Sequence, residues 1–408
     1  MTWPVFKFVK RSESIYDVIY LNRTFSKLFG VAVYSDVGKT EDCRIAMSRW
    51  NRLAILTLLL LEGYVFFVSH VILERSTSAV GQSVRYNGTK YVFIMGSFYM
   101  SFEAITNYWH CQKLCRILHE MNKFDKRTKE MNAPICHTTQ KRRILLATAI
   151  IFLFWSIFTV SAIFILSGAY ESWHIQLLIL FSLIFFNGPL TIMKLNLFIV
   201  SYLFYCRLSH LNDFFSVHFV PGKKSTTPFL EELPGPRGQD CKVTTLQNLM
   251  ILRSDINRVA GMISGTFSKQ IIFIAVVTTA LVTLSLFTLY RSIVAQEDRI
   301  KLRAIVHLQC SMYCVLMAIA LIAMFDGIKC QAKKTAVLVH KAIRETENKE
   351  IQSQLMQFSM MLNHRTVVIS CGWFVCDWTM GMRIIQNITS YLVILIQFDS
   401  SLITKIED

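Results

Sequence analysis

Ile144–Leu166 reads ILLATAIIFLFWSIFTVSAIFIL, 23 residues without one charged side chain. As an α-helix this run covers about 35 Å. That crosses a hydrocarbon core of about 30 Å while every backbone N–H and C=O in the run is paired within the helix. Six further stretches of comparable character flank it: Leu53–Leu73, Thr89–Trp109, Ile175–Tyr205, Gln270–Val294, Ala304–Phe325 and Trp373–Phe398. The first carries Glu62, and the last is interrupted by Asp377, Arg383 and Asn387. The sequence therefore predicts an all-α integral membrane protein of seven transmembrane helices.

Composition agrees, but distribution carries the inference. Of the 408 residues 53% are hydrophobic and the mean hydropathy is +0.41, only modestly above a soluble domain. What separates this chain from a soluble one is that its apolar residues fall in runs of membrane length. Residues 1–52 are polar and charge-mixed, without the short apolar core of a secretory signal, so the first span is expected to act as its own insertion signal.

The net charge of +16 would suit a nucleic-acid partner, but its placement has a membrane explanation. Segments 1–52, 110–143, 206–269 and 326–372 together carry 33 Lys and Arg, whereas 74–88, 167–174, 295–303 and 399–408 carry 6. Positive charge concentrates on the cytosolic side. The N-terminus is then expected in the cytosol and the C-terminus outside the cell, the reverse of a G-protein-coupled receptor, with no nucleic-acid partner. The expected organisation is a cytosolic N-terminal segment 1–52, spans one to four over 53–205, and a cytosolic loop 206–269. Spans five and six follow over 270–325, then a cytosolic segment 326–372, the last span 373–398 and an external tail 399–408.

The cytosolic loops are long and patterned. Pro221–Gln239 holds four of the seven prolines among glycines and scattered charges, a composition that reads as a disordered linker. Leu246–Phe267 places Leu249, Leu252, Ile256, Val259 and Ile263 at helical spacing, and Gly327–Arg365 repeats the pattern over 39 residues without proline. Together these segments predict a helical anchor region beneath the membrane; a helix lying on the membrane surface is the alternative.

The eleven cysteines all fall in segments expected to be cytosolic or in the membrane, which argues against disulfides. The i,i+4 pairs Cys111/Cys115 and Cys310/Cys314 lack further ligands nearby, so no metal site and no cofactor is implied. Of three sequons only Asn87 falls in an external segment, which makes it the expected glycosylation site. No Gly-rich phosphate loop, H-E-x-x-H or G-x-S-x-G is present, so an enzyme is not expected.

Ionisable residues inside spans are functional candidates, here Glu62, Glu103 and Lys194. Lys194 follows Asn187-Gly188-Pro189, where a kink is expected. The last span is the richest. Asn387, Ser390 and Gln397 lie at spacings of three and seven, on one face of a helix that is otherwise branched aliphatic. Such a stripe faces either an aqueous pore between subunits or hydrogen-bonding partners on neighbouring helices.

Ser390-Tyr391, five aliphatic residues and then Gln397-Phe398 resemble the C-terminal signature of insect gustatory receptors: Thr-Tyr, five apolar residues, Gln-Phe. Ser390 stands for the signature's Thr and keeps its hydroxyl. Length, inverted topology, a long basic loop after span four and the Gly372-Trp373 element before the last span agree with that family. The resemblance implies a subunit of a homotetrameric or heterotetrameric ligand-gated, non-selective cation channel in the plasma membrane of sensory neurons. Its implied partners are membrane lipid and a small-molecule tastant. The last span would line the pore, Gln397 and Phe398 would form the gate, and Asn387, Ser390 and Tyr391 would belong to the same wall. Asp399 would contribute an acidic ring at the outer mouth.

A pocket in the outer half of the bundle would draw on Tyr99, Glu103, Tyr108 and Trp109 of span two and Trp155, Phe158 and Thr159 of span three. Sugar-type members tend to carry Glu after the signature Tyr. Leu392 at that position points instead to bitter or other non-sugar tastants. The rival classes are a G-protein-coupled chemoreceptor and a transporter. The first would want an Asp-Arg-Tyr or Asn-Pro-x-x-Tyr motif, and neither occurs. The second would want two related halves, and only Gly188-Pro189 points that way.

Overall fold

The computed structural model describes residues 14–28, 113–167, 173–220, 239–295, 298–364 and 366–407. The expected spans Leu53–Leu73 and Thr89–Trp109, the linker residues 221–238 and Asn87 lie outside the described residues. Within them the chain is almost wholly helical: α1 (Ile15–Val18), α2 (Tyr20–Leu28), α3 (113–130), α4 (His137–Ser167), α5 (Trp173–Phe219), α6 (Gln239–Ala295), α7 (Asp298–Glu345), α8 (Lys349–His364) and α9 (Trp378–Glu407). Five of these, α4 to α7 and α9, are long and apolar enough to cross a membrane. They carry the five described spans that the hydropathy pattern predicts.

From Ile144 on, α4 carries no charged side chain, and burial shows which side meets protein. Leu146, Ile150, Leu153, Phe154, Ile157 and Val160 are exposed, whereas Thr148, Phe158 and Thr159 are buried. This is the arrangement lipid favours. Aliphatic side chains are as comfortable in lipid tails as in a core, so hydroxyls and small groups turn inward, where helices supply partners.

α5, α6 and α7 have 47, 57 and 48 residues, or about 70–85 Å as helix, far beyond a bilayer. Their surplus gathers with α3 and α8 at one end of the molecule. The expected amphipathic stretch Leu246–Phe267 is there, as the first half of α6. Its Leu249, Leu252, Ile256, Val259 and Ile263 enter a common core with Leu208, Leu211 and Phe215 of α5 and Val339 of α7. Buried polar groups hold the same end. Arg207 Nη2 reaches Asp125 Oδ2 of α3 at 2.5 Å, and its Nη1 donates to the Leu203 carbonyl at 2.7 Å. Thr335 Oγ1 donates to Asn212 Oδ1 at 2.6 Å. Nearer the surface, Arg258 pairs with Glu120 at 2.5 Å, and Arg127 pairs with Asp255.

Two expectations need correction. Gly327–Arg365 is not one helix. Its first part continues α7 to Glu345, and α8 begins afresh at Lys349, because the Asn348 side chain accepts from the backbone N–H of Glu350 at 2.9 Å and of Ile351 at 3.3 Å. An Asn in that position starts a new helix by satisfying its orphan donors. The last span likewise does not begin at Trp373. Residues 369–376 form a tight turn, with Cys371 N–H donating to the Phe374 carbonyl, Cys376 N–H to the Ile369 carbonyl, and Gly372 at φ +86°. α9 starts only at Trp378 and stays helical through Glu407, so the expected tail from 399 onward continues the helix.

At the other end of the sequence, Ile15 and Val18 enter the core, while Asn22 and Ser26 of α2 bond the Asn196 side chain of α5. Asn22 is thereby buried, so its sequon presents no free amide.

Candidate functional site

α9 is the least enclosed of the long helices. It rests on α6 and α7 through one stripe: Met380 is buried, and Ile384, Ile388, Leu392, Leu395 and Ile396 are half-buried, ending in buried Asp399. A three- to four-residue step keeps these on one side of the helix. Around the rest of its circumference α9 is open. Asn387, Ser390 and Gln397 are exposed, with Tyr391 57% and Phe398 63% accessible. The polar stripe therefore points away from the subunit's own bundle. Of its two possible uses, this exposure suits a face open to water or to a neighbouring subunit.

α9 is tied by one ion pair just before its first turn and by another at Asp399, about two turns before its end. Asp377 precedes the first turn, accepts from Thr379 N–H at 2.9 Å and receives Lys329 Nζ of α7 at 2.6 Å. The hydrogen bond from Lys329, aided by the Thr379 hydroxyl, holds the Asp377 carboxyl down at about 2. A carboxyl lowered in the folded state stabilises above its ordinary value near 3.8 and loses that contribution as pH falls toward about 2. The tie is thus constant across the physiological range. Toward the far end Arg291 Nη1 of α6 donates to Asp399 Oδ2 at 3.1 Å. Asp399 is placed differently from the expected acidic ring. Its carboxylate turns into its own subunit, 7% exposed, and its charge is answered by Arg291.

Span-three residues of the expected pocket face the interior. Phe158 and Thr159 are buried, and Thr159 Oγ1 donates to the Trp155 carbonyl at 2.9 Å. Trp155 Nε1 is buried and finds no acceptor among the described residues. Tyr99, Glu103, Tyr108 and Trp109 lie outside the described residues.

Around them the structure gathers Ser161, Gln309, Thr191 and Tyr313, which the sequence did not single out, and Lys194, which it did. Ser161 Oγ of α4 meets Gln309 Oε1 of α7 at 2.7 Å, and Tyr313 Oη of α7 meets Thr191 Oγ1 of α5 at 2.8 Å. Lys194, 4% exposed, lies 5.8 Å from the Tyr313 ring centroid, within cation–π range. A legible signal existed: Gln309/Tyr313 and Thr191/Lys194 repeat at four and three residues, which puts each pair on one helix face. Together these side chains make a polar seam where α4, α5 and α7 meet inside the apolar bundle. Among the described residues no cluster of three or more His, Cys, Asp or Glu could hold a metal.

A bundle of membrane-length helices, a polar seam inside it and one helix with an outward polar face define a multi-pass membrane protein. Residues 19–402 match the model of the 7tm chemosensory receptor family, and the chain belongs to that family. Its members are receptors rather than enzymes. Two Drosophila melanogaster relatives are gustatory receptors. Gustatory receptor 28b is 36% identical over 92 residues, covering 21% of this chain and 19% of the relative. Gustatory receptor 28a is 40% identical over 65 residues, covering 16% and 14%. These matches span less than a fifth of each relative's length. Among solved structures, the insect olfactory receptor OR5 from Machilis hrabei aligns over 94% of this chain and 100% of its own, with TM-score 0.65 and 12% identity. The same receptor in complex with eugenol aligns over 93% and 97%, with TM-score 0.67 and 11% identity. At such identity the likeness concerns the fold, seven-helix architecture included.

Proposed function

We propose that this chain is one subunit of a tetrameric, ligand-gated, non-selective cation channel that responds to bitter or other non-sugar tastants in the plasma membrane of sensory neurons. The observation that carries the reading is the outward polar face of α9. Asn387, Ser390 and Gln397 on a membrane-length helix have no place against lipid and face away from their own bundle. Four copies arranged about an axis would turn those faces toward water. Phe398 and Gln397 then form the gate, with Tyr391 in the same wall. The N-terminus is cytosolic and the C-terminus external, as the placement of Lys and Arg indicates. The helical end formed by α3, α5, α6, α7 and α8 is the cytosolic anchor.

The ligand site is the seam between α4, α5 and α7, and the sequence offers Tyr99, Glu103, Tyr108 and Trp109 as further candidates outside the described residues. That the insect receptor OR5 was solved with eugenol supports a small organic ligand here. Leu392 supports the non-sugar class.

The test begins with an epitope tag at the C-terminus of the full chain. Antibody should reach it on intact cells, with a permeabilised control for expression. Whole-cell cation currents evoked by eugenol, caffeine or denatonium, with G-protein signalling blocked, should follow. Staining only after permeabilisation removes the pore model. A response abolished by the G-protein block assigns the chain to G-protein coupling.

Trp155→Phe keeps an aromatic ring but removes the orphaned N–H. Loss of one hydrogen bond of about 1.4 kcal/mol is expected to raise the half-maximal concentration of a responding compound about tenfold. An unchanged concentration would make Trp155 a packing residue.

A further inference from the structure

We propose that Arg291 is a positioning residue for the gate-bearing end of α9, acting through its ion pair with Asp399; the word gate here rests on the channel reading above. α9 is held unequally along its length. At its start Asp377 is bonded by Lys329 Nζ and by both the N–H and the hydroxyl of Thr379. Through its middle it rests on α6 and α7 by the aliphatic stripe. Apolar packing seats this stripe in its groove but makes no bond at a fixed angle, so a polar tie adds to it in setting the rotation of the helix. Beside the gate residues a directional bond is made from Arg291 to Asp399 at 3.1 Å.

Asp399 directly follows Gln397 and Phe398, and residues on a helix turn together. Holding Asp399 against α6 therefore fixes the direction in which Gln397 and Phe398 project, away from the bundle. Without Arg291 the carboxylate would be buried and unpaired, which is strongly unfavourable. Its escape to water would rotate the neighbouring side chains with it. The acid acts on the pore by orientation, and its charge is spent on Arg291 rather than offered to passing ions.

The test uses the full chain with Gln397→Cys, labelled on intact cells by an impermeant cationic methanethiosulfonate reagent and normalised to surface protein. Asp399→Asn and Arg291→Gln should each change the labelling rate by about fivefold, or about 1 kcal/mol, because either change removes the bond that fixes the rotation. Arg291→Lys and the charge swap R291D/D399R should restore the rate. In parallel, Asp399→Asn without the cysteine should raise the resting sodium current while leaving single-channel conductance at low salt unchanged.

Unaltered labelling in both single variants overturns the proposal. So does a fall in low-salt conductance with labelling unaltered, which would return Asp399 to the pore mouth. If a single variant fails to reach the surface, the swap decides: a labelling rate not restored to the parent value overturns the pair. Altered and rescued labelling with no current from any form, the parent included, sustains the positioning role and removes the channel reading instead.

Discussion

Cells expressing Phe398→Ala are expected to carry a standing cation current without any ligand, whereas Phe398→Leu should remain closed at rest. Phe398 sits near the end of α9, 63% exposed and one residue before buried Asp399. In a fourfold arrangement its rings would meet near the axis, and a ring of aromatic side chains narrows and dries a pore. Alanine removes both the width and the apolar surface on which water fails to wet, while leucine keeps most of each. The helix itself should survive, because an exposed Phe leaves no cavity in its own subunit and alanine is the best helix former. Whole-cell recording at matched surface expression checks it. A silent F398A with an intact ligand response would place the gate at another layer of α9, with Ser390 and Asn387 the next candidates.

Asp125→Ala is expected to remove most mature receptor from the cell surface. Arg207 is fully buried at the charged end of the bundle, where its guanidinium meets Asp125 at 2.5 Å, the Leu203 carbonyl at 2.7 Å and the Met121 carbonyl at 3.5 Å. A buried ion pair contributes little net stability, because desolvation offsets attraction. Deleting one partner is another matter and costs about 3–5 kcal/mol, since the remaining charge has no solvent. Against a total stability of about 5–15 kcal/mol that is a large loss. The double replacement D125L/R207M should recover much of it, because it removes both charges and keeps volume. Surface biotinylation and thermal melting of the detergent-solubilised protein would measure both. Normal surface levels of D125A would mean that Arg207 finds another acceptor.

Periodicity carried most of the fold for a physical reason. Lipid admits only backbone that pairs within its own segment, so each long apolar run in the sequence is almost obliged to be a helix. Hence the described spans fall on α4 to α7 and α9, and the heptad-like stretch before span five falls on α6. Prediction failed where a local polar group competed with the pattern. Asn348 starts a helix in the middle of an unbroken amphipathic repeat. Residues 373–376, counted in the last span by their hydropathy, belong instead to the turn 369–376 closed through Gly372. Neither changes hydropathy, so neither registers in a reading based on it.

The candidate site divides in the same way. That α9 has a polar face follows from the spacing of Asn387, Ser390 and Gln397 alone, because 3.6 residues per turn leave no freedom in which side chains align. Which way that face points is a property of the packed bundle. It depends on Met380 and Ile384 finding a groove against α6 and α7, and on Arg291 lying within reach of Asp399, 108 residues further on. The same holds for the meeting of Lys194 with Tyr313 and of Arg207 with Asp125. A residue's own sequence neighbourhood sets its helix and its side of that helix. Its partner across the bundle is set by how helices of about 70–85 Å cross one another, and that geometry exists only once the chain has packed.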